Sequence, residues 1–240
     1  MRKFEKLVIS GCSFSEGSSN MRFVAVHPTT WSHFLLPKVH PKIYVNLAIP
    51  SGGNIAAGYN IVYLLETKKS FTSNDTLVLF NITGLDRFDT MCYCDHPQAN
   101  SSFSWNQDFG FGWITEGGFT HGRFWRDGGL PFKGSLQKNM GQDQMITFNS
   151  LSIINTITYL EANNFQYAFM LMDQHIETAA PDFLKRFLDN RSAYYITFDG
   201  VSNMYEYCKQ NTWLTGDQFH PSHEGHSAIA DFVYQHINKY

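Results

Sequence analysis

Three side chains far apart in the sequence have types that can do covalent chemistry together. Ser13 lies in Gly11-Cys12-Ser13-Phe14-Ser15-Glu16-Gly17, directly after an apolar run, and Asp217 and His220 lie in Asp217-Gln218-Phe219-His220-Pro221 near the C terminus. A serine hydroxyl is inert until a base takes its proton. Imidazole is the usual base, and a carboxylate on its other ring nitrogen fixes the tautomer and stabilises imidazolium. Glycine at position 11 permits a sharp strand-to-helix turn, and a helix N-terminus there favours developing negative charge. Each residue also has a plainer reading. Ser13 sits among Ser10, Ser15, Ser18 and Ser19 and suits a helix cap, Asp217 suits a turn, and His220 suits a surface position before proline.

Elements that would bring these residues together are readable from periodicity. Continuous apolar runs at Lys6–Ser10, Ile43–Ile49, Thr76–Thr83, Gln166–Met172 and Ala193–Phe198 are what parallel strands buried on both faces show. Apolar residues recur at helical spacing over Ile55–Lys68 and Met145–Ala162, and Pro181–Leu188 and Ser222–Ile237 read as two more helices. Strand and helix alternation predicts an α/β protein, a doubly wound parallel sheet with helices on both sides as a three-layer α/β/α stack. In such a sheet ligands bind beyond the carboxyl ends of the strands, where Ser13, the Pro50-Ser51-Gly52-Gly53-Asn54 turn and the Thr83-Gly84-Leu85-Asp86-Arg87 turn fall.

That order, a serine after the first strand, glycine-rich turns after the second and third, and D-x-x-H before the last helix, resembles the SGNH, or GDSL-type, hydrolase superfamily from Leu7 to about Ala230. The resemblance implies a flavodoxin-like fold and an esterase without a cofactor, with Ser13 as nucleophile, His220 as base and Asp217 as orienting acid. It also implies an oxyanion hole made by the Ser13 N–H, the N–H of Gly52 with Gly53 as rival, and an asparagine side chain in a G-x-N-D turn. Here Asp86 stands where that asparagine is expected, and an ionised carboxylate only accepts hydrogen bonds. A neutral Asp86, another donor such as Thr83 or Asn81, or a site that has lost efficient hydrolysis would each account for it. Asn81, inside the strand run, would need a bulge to turn toward the site. Asp86-Arg87 also reads as an ion pair bracing the loop.

From about Asp89 to Met140 the pattern breaks into clustered Gly, Trp, Phe and His without a clear period, too long for an ordinary connection. Phe111, Trp113, Arg123 and Trp125 give this insertion the composition of a sugar-stacking or acyl-binding surface, and a small self-packing subdomain is the alternative. The expected activity is therefore a serine ester hydrolase working through an acyl-serine intermediate, removing O-acyl groups from a carbohydrate. The alternatives are a lipid or thioester hydrolase and a non-catalytic glycan-binding protein of the same fold. His220, His223 and His226 with Asp217 invite a metal reading, but their spacing matches no familiar zinc motif, and no metal is expected.

The chain has 240 residues with 43% hydrophobic and 16% charged, which excludes disorder and coiled coil and suits one domain over 1–240. Its net charge of −3, with scattered basic residues, gives no electrostatic footprint for nucleic acid or an anionic membrane. Cys12, Cys92, Cys94 and Cys208 read as unpaired thiols of a reducing compartment. The apolar stretch in MRKFEKLVIS is too short for a secretory leader and no run is long enough to span a bilayer, so a cytoplasmic location without membrane insertion is expected.

Overall fold

The computed structural model describes residues 4–16, 29–49, 52–92, 102–106, 111–116, 142–216 and 218–239. In chain order its elements are β1 (Lys6–Ser10), α1 (Ser13–Glu16), α2 (Trp31–Val39), β2 (Ile43–Asn46), α3 (Asn54–Thr67), β3 (Thr76–Ile82), β4 (Phe88–Cys92), β5 (Ser102–Asn106), β6 (Phe111–Glu116), α4 (Gln142–Ala162), β7 (Gln166–Leu171), α5 (His175–Ala179), α6 (Asp182–Asp189), a 3-10 turn (Ser192–Tyr194), α7 (Met204–Gln210) and α8 (His223–Ile237). The main sheet is parallel with strand order β2-β1-β3-β7. The chain winds outward from β1 to β2, then crosses back to place β3 on the other side of β1. The reversal between β1 and β3 is the topological switch point, where the turns leaving the two strands diverge and open a crevice.

Both sheet faces are covered, which explains why the strands read as continuous apolar runs. Leu7, Ile9, Leu77 and Leu79 face α2 and α8 and pack with Trp31, Leu35, Ile229 and Val233. Val8, Val78, Phe80 and Ile82 face the opposite layer, against Ile61 and Leu64 of α3 and Ile153 and Ile157 of α4. Each fully buried side chain of this size contributes roughly 1.5–3 kcal/mol. Helices α3 and α4 approach closely because Gly58 has no side chain; a Cβ there would lie 2.2 Å from Thr156 Oγ1.

Several sequence expectations need correction. The run Ala193–Phe198 is no strand. It enters as the 3-10 turn, contributes one parallel bridge, Phe169 with Tyr195, and folds back at a Phe198–Val201 bridge around Asp199-Gly200. Helix α2, which carries Pro37 internally, and α7 were not anticipated. Within 89–140, the described segments are strands rather than aperiodic chain. β4, β5 and β6 form an antiparallel sheet in the order β4-β6-β5, with Trp113 in register with Met91 and Ser104. The rest of that stretch lies outside the described residues.

Candidate active site

The turn after β1 is built by close approach. A Cβ on Gly11 would sit 2.8 Å from Asn81 Cβ and 3.2 Å from Ser15 Oγ, so only glycine lets β1 run into α1 beside β3. Ser13 opens α1. One helical turn has no stability of its own, and α1 is held by its neighbours through Ser15. The Ser15 Oγ accepts from Trp31 Nε1–H (3.1 Å) and Asn81 Nδ2–H (3.0 Å), and the Ser15 carbonyl accepts from Asn46 Nδ2–H (2.8 Å) and the Thr30 hydroxyl (3.2 Å). Residues from β2, β3 and the start of α2 therefore fix the backbone that presents Ser13. The Ser13 side chain is outside the described part of the structure.

His220 reaches the same place from the other end of the chain. The residue is 8% exposed, and its ring lies 5.3 Å from the ring of Phe14, the residue after Ser13, and 5.4 Å from that of Phe219. The loop carrying it is closed at its base by the Leu214–Pro221 bridge and by the Ser222 N–H on the Trp213 carbonyl (2.7 Å). Within the loop, the Thr215 N–H donates to the His220 carbonyl (2.8 Å). Asp217 lies in this loop but outside the described residues. The neighbouring histidines turn to separate partners. His223 meets the Phe34 ring edge-on at 4.8 Å, and His226 Nδ1 accepts from the Trp31 N–H (3.3 Å). His226 thus fastens α8 to the start of α2.

The turns after β2 and β3 interlock with this centre. The Ile49 N–H donates to the Gly11 carbonyl (3.0 Å), and the Gly52 N–H closes a turn on the Ile49 carbonyl (2.9 Å). The Gly53 N–H donates to Asp89 Oδ1 (2.8 Å), and the Ala56 N–H donates to Asp89 Oδ2 (2.9 Å). Asp89 therefore caps the first turn of α3 from a distant strand, since α3 has Gly53 at its N-cap and no side chain of its own there. Arg87, also buried, sends Nη1–H to the Gly52 carbonyl (3.1 Å) and Nη2–H to Met172 Sδ (3.3 Å), and the Cys12 thiol donates to the same sulfur (3.1 Å). Burial pushes the Asp89 carboxyl above the usual carboxylate range, against the opposing pull of the Ala56 and Gly53 N–H groups and the Arg87 guanidinium.

The third turn is braced by two asparagines. Asn54 accepts the Thr83 N–H (2.9 Å) and donates to the Thr83 carbonyl (3.1 Å), while Asn149 of α4 accepts the Asn54 N–H (3.0 Å) and donates to the Arg87 carbonyl (2.9 Å). Asp86 is buried in this turn.

Among the expected oxyanion donors, the Gly53 N–H is engaged by Asp89 and the Gly52 N–H by Ile49. Asn81 needs no bulge to reach the site, because its register with Met170 is unbroken and its side chain already touches Ser15. Its amide N–H is engaged there, and among the described residues its Oδ1 has no hydrogen-bond partner, nor has the Thr83 hydroxyl. Sequence reasoning missed Asn54, Asn149 and Asp89, and read Arg87 only as a partner for Asp86. The available signal was a charged pair, Arg87 and Asp89, flanking the start of β4 next to an otherwise apolar strand end. Phe111 and Trp113 are placed in β6, with side chains outside the described part, and Arg123 and Trp125 lie outside the described residues.

No protein-family model and no curated protein matches the sequence. Among solved structures, the chain is similar to the psychrotrophic esterase EstA from a Pseudoalteromonas species, at 15% identity over 98% of this chain and 97% of that one, with a TM-score of 0.47. It is also similar to a member of the lipolytic G-D-S-L family from Veillonella parvula, at 8% identity over 98% and 99% of the two chains, TM-score 0.49. Phospholipase A1 from Streptomyces albidoflavus is a third such structure, at 13% identity over 98% and 99%, TM-score 0.45.

Proposed function

We propose that the protein is a serine ester hydrolase of the SGNH type, with Ser13 as nucleophile, His220 as general base and Asp217 as the carboxylate that orients the imidazole. The observation that carries this reading is the His220 ring against Phe14, one residue from Ser13, at the switch point of a parallel sheet. Ser13 Oγ attacks the ester carbonyl carbon as its proton passes to His220. The tetrahedral intermediate collapses to acyl-Ser13, and the alcohol leaves with the proton from His220. Water then attacks the acyl group, giving up a proton to His220, and the carboxylic acid departs as Ser13 regains its hydrogen.

The oxyanion needs donors that are not already engaged. The N-terminal end of α1 supplies one direction of positive field, and the Thr83 hydroxyl, without a partner among the described residues, is the side-chain donor best suited to stand in for the missing asparagine. The Gly52 N–H can join by sharing its hydrogen between Ile49 and the substrate. O-acyl groups on a carbohydrate are the preferred substrate, because the aromatic stretch after β3 leaves the sheet beside the Gly53 turn, at the ligand edge. A lipid or thioester substrate is the alternative within the same chemistry.

A second reading, a glycan-binding protein with a weakened site, is favoured by Asp86 and by the engagement of both glycine N–H groups. A serine-directed fluorophosphonate separates the two. The hydrolase reading expects stoichiometric labelling at Ser13, its loss in Ser13→Ala with an unchanged circular dichroism spectrum, and loss of turnover on p-nitrophenyl acetate in the same variant. Turnover retained by pure Ser13→Ala would overturn the assignment.

A further inference from the structure

The geometry points to Arg87, assisted by Asp89, as a positioning residue that locks together the turns following all four strands of the main sheet and so sets the geometry in which Ser13 reacts. This rests on the hydrolase reading and adds to it a function for two buried polar residues that the triad does not use.

Arg87 belongs to the turn after β3. One of its nitrogens holds the carbonyl of Gly52 in the turn after β2, and another holds the sulfur of Met172, the residue after β7. That sulfur in turn takes the thiol hydrogen of Cys12, the residue before Ser13, in the turn after β1. Asp89 grips the other side of the same peptide group, accepting the Gly53 N–H, so the peptide between Gly52 and Gly53 has its carbonyl fixed by Arg87 and its N–H fixed by Asp89. A peptide group restrained at both ends cannot rotate. The Ile49 N–H on the Gly11 carbonyl completes the circuit back to the serine turn.

A thioether is a weak acceptor for a buried guanidinium, so Met172 is a poor choice if the sole aim were to satisfy Arg87. Its value is in location, since it also touches the residue preceding Ser13. The oxygens of Asp89 also join the active turn to the first strand of the antiparallel sheet, so β4 and the serine turn are held to a common support. Room for adjustment is small. A Cβ on Gly53 would lie 2.7 Å from Asp89 Oδ2 and 3.0 Å from Arg87 Cβ, and a Cβ on Gly52 would lie 2.9 Å from the Ile49 carbonyl oxygen.

The test compares wild type with Arg87→Met, Arg87→Lys and Asp89→Asn, reading kcat and KM on p-nitrophenyl acetate, the rate of fluorophosphonate labelling at Ser13, and the melting temperature. A displacement of reacting groups by about 1 Å costs on the order of 100-fold in rate. Arg87→Met, which keeps the volume but loses both donors, is expected to lower kcat and the labelling rate by about 10- to 100-fold with KM within about twofold. Asp89→Asn keeps one acceptor and is expected to fall between, by about 10-fold. Arg87→Lys can still reach the Gly52 carbonyl and is expected to restore most of the rate lost in Arg87→Met, even if its melting temperature is no higher.

A wild type that neither labels nor turns over overturns the hydrolase reading, and the positioning role with it. A labelled wild type whose folded Arg87→Met and Asp89→Asn variants label at the same rate overturns the positioning role alone, as does a loss that tracks the melting temperature and is not relieved by lysine. Should Arg87→Met fail to fold, Asp89→Asn and Arg87→Lys decide: normal kcat in the first, or a loss of melting temperature and activity together in the second, overturns the proposal.

Discussion

At the scale of single residues, the buried carboxyl of Asp89 makes a pH-dependent contribution whose sign follows from its surroundings. Burial raises its proton affinity in the folded chain above that of the unfolded chain, despite the Ala56 and Gly53 N–H groups and Arg87. As pH climbs past the ordinary carboxylate range, the unfolded chain loses this proton first, so the contribution present in acid is lost as pH rises through the raised folded-state value. The stability of wild type relative to Asp89→Asn should therefore decline with pH over that window, with a slope of at most about 1.4 kcal/mol per pH unit. Denaturant titrations of both proteins at a series of pH values check this; a difference that grows with pH would mean that the N–H groups and Arg87 dominate. Ser13, Asp217 and His220 stand out in the sequence as candidates because their types and order carry chemistry. Asn54, Asn149 and Asp89 were not, since their work is to satisfy backbone groups of distant turns, and which N–H lacks a partner depends on tertiary neighbours.

At the scale of elements, the pairing of α3 with α4 depends on one absent side chain. Gly58→Ala removes a helix-interior glycine, worth up to about 1 kcal/mol in its favour. It also drives a Cβ to 2.2 Å from Thr156 Oγ1 and 3.1 Å from Ser152 Oγ. Overpacking of this kind costs about 1–3 kcal/mol, so the variant should melt lower by a net of about 1–2 kcal/mol. Adding Thr156→Ala should recover the loss and more, a non-additive pair that thermal scans of the three variants would expose. Strands β1, β3 and β7 were legible from their unbroken apolarity, because burial on both faces leaves no polar alternation to misread. The run Ala193–Phe198 is also apolar but joins the main sheet through the Phe169–Tyr195 bridge rather than a strand, because the Asp199-Gly200 reversal turns Phe198 back onto Val201. Helix α2 was hidden by Pro37 and by a brief apolar stripe, and its place is fixed instead by contacts of Thr30 and Trp31 with Ser15 and His226.

At the scale of the whole molecule, the proposed hydrolase reading assigns catalysis and substrate choice to different parts of the chain. Ser13 and His220 belong to the doubly wound body, and the aromatic stretch departs from the carboxyl edge of its sheet through β4. Trp113→Ala and Trp125→Ala should then lower kcat/KM on a large acetylated glycan by about 10-fold or more while changing p-nitrophenyl acetate hydrolysis by less than about threefold. Equal losses on both esters with a fall in melting temperature would make the stretch a packing element. Strand order was legible only as a class, since sequence gives the alternation of strands and helices but not which neighbours pair; the β2-β1-β3-β7 order places the switch point beside Ser13.

The foreshortened segment after the 3-10 turn has a consequence for how molecules meet one another. Among the described residues, strand β7 is an edge of the parallel sheet, and its rim is closed piecemeal: the Ile196 N–H donates to the Phe169 carbonyl (2.8 Å), Asn203 bridges to Leu171, and the Tyr205 N–H donates to the Met172 carbonyl (3.0 Å). A full additional strand would have offered a fresh ladder of its own to any passing chain. Isolated stoppers, coming from a turn, a cap and a helix start, occupy the rim without extending it, so the sheet ends there and gives an intruding β-segment no continuous register to copy.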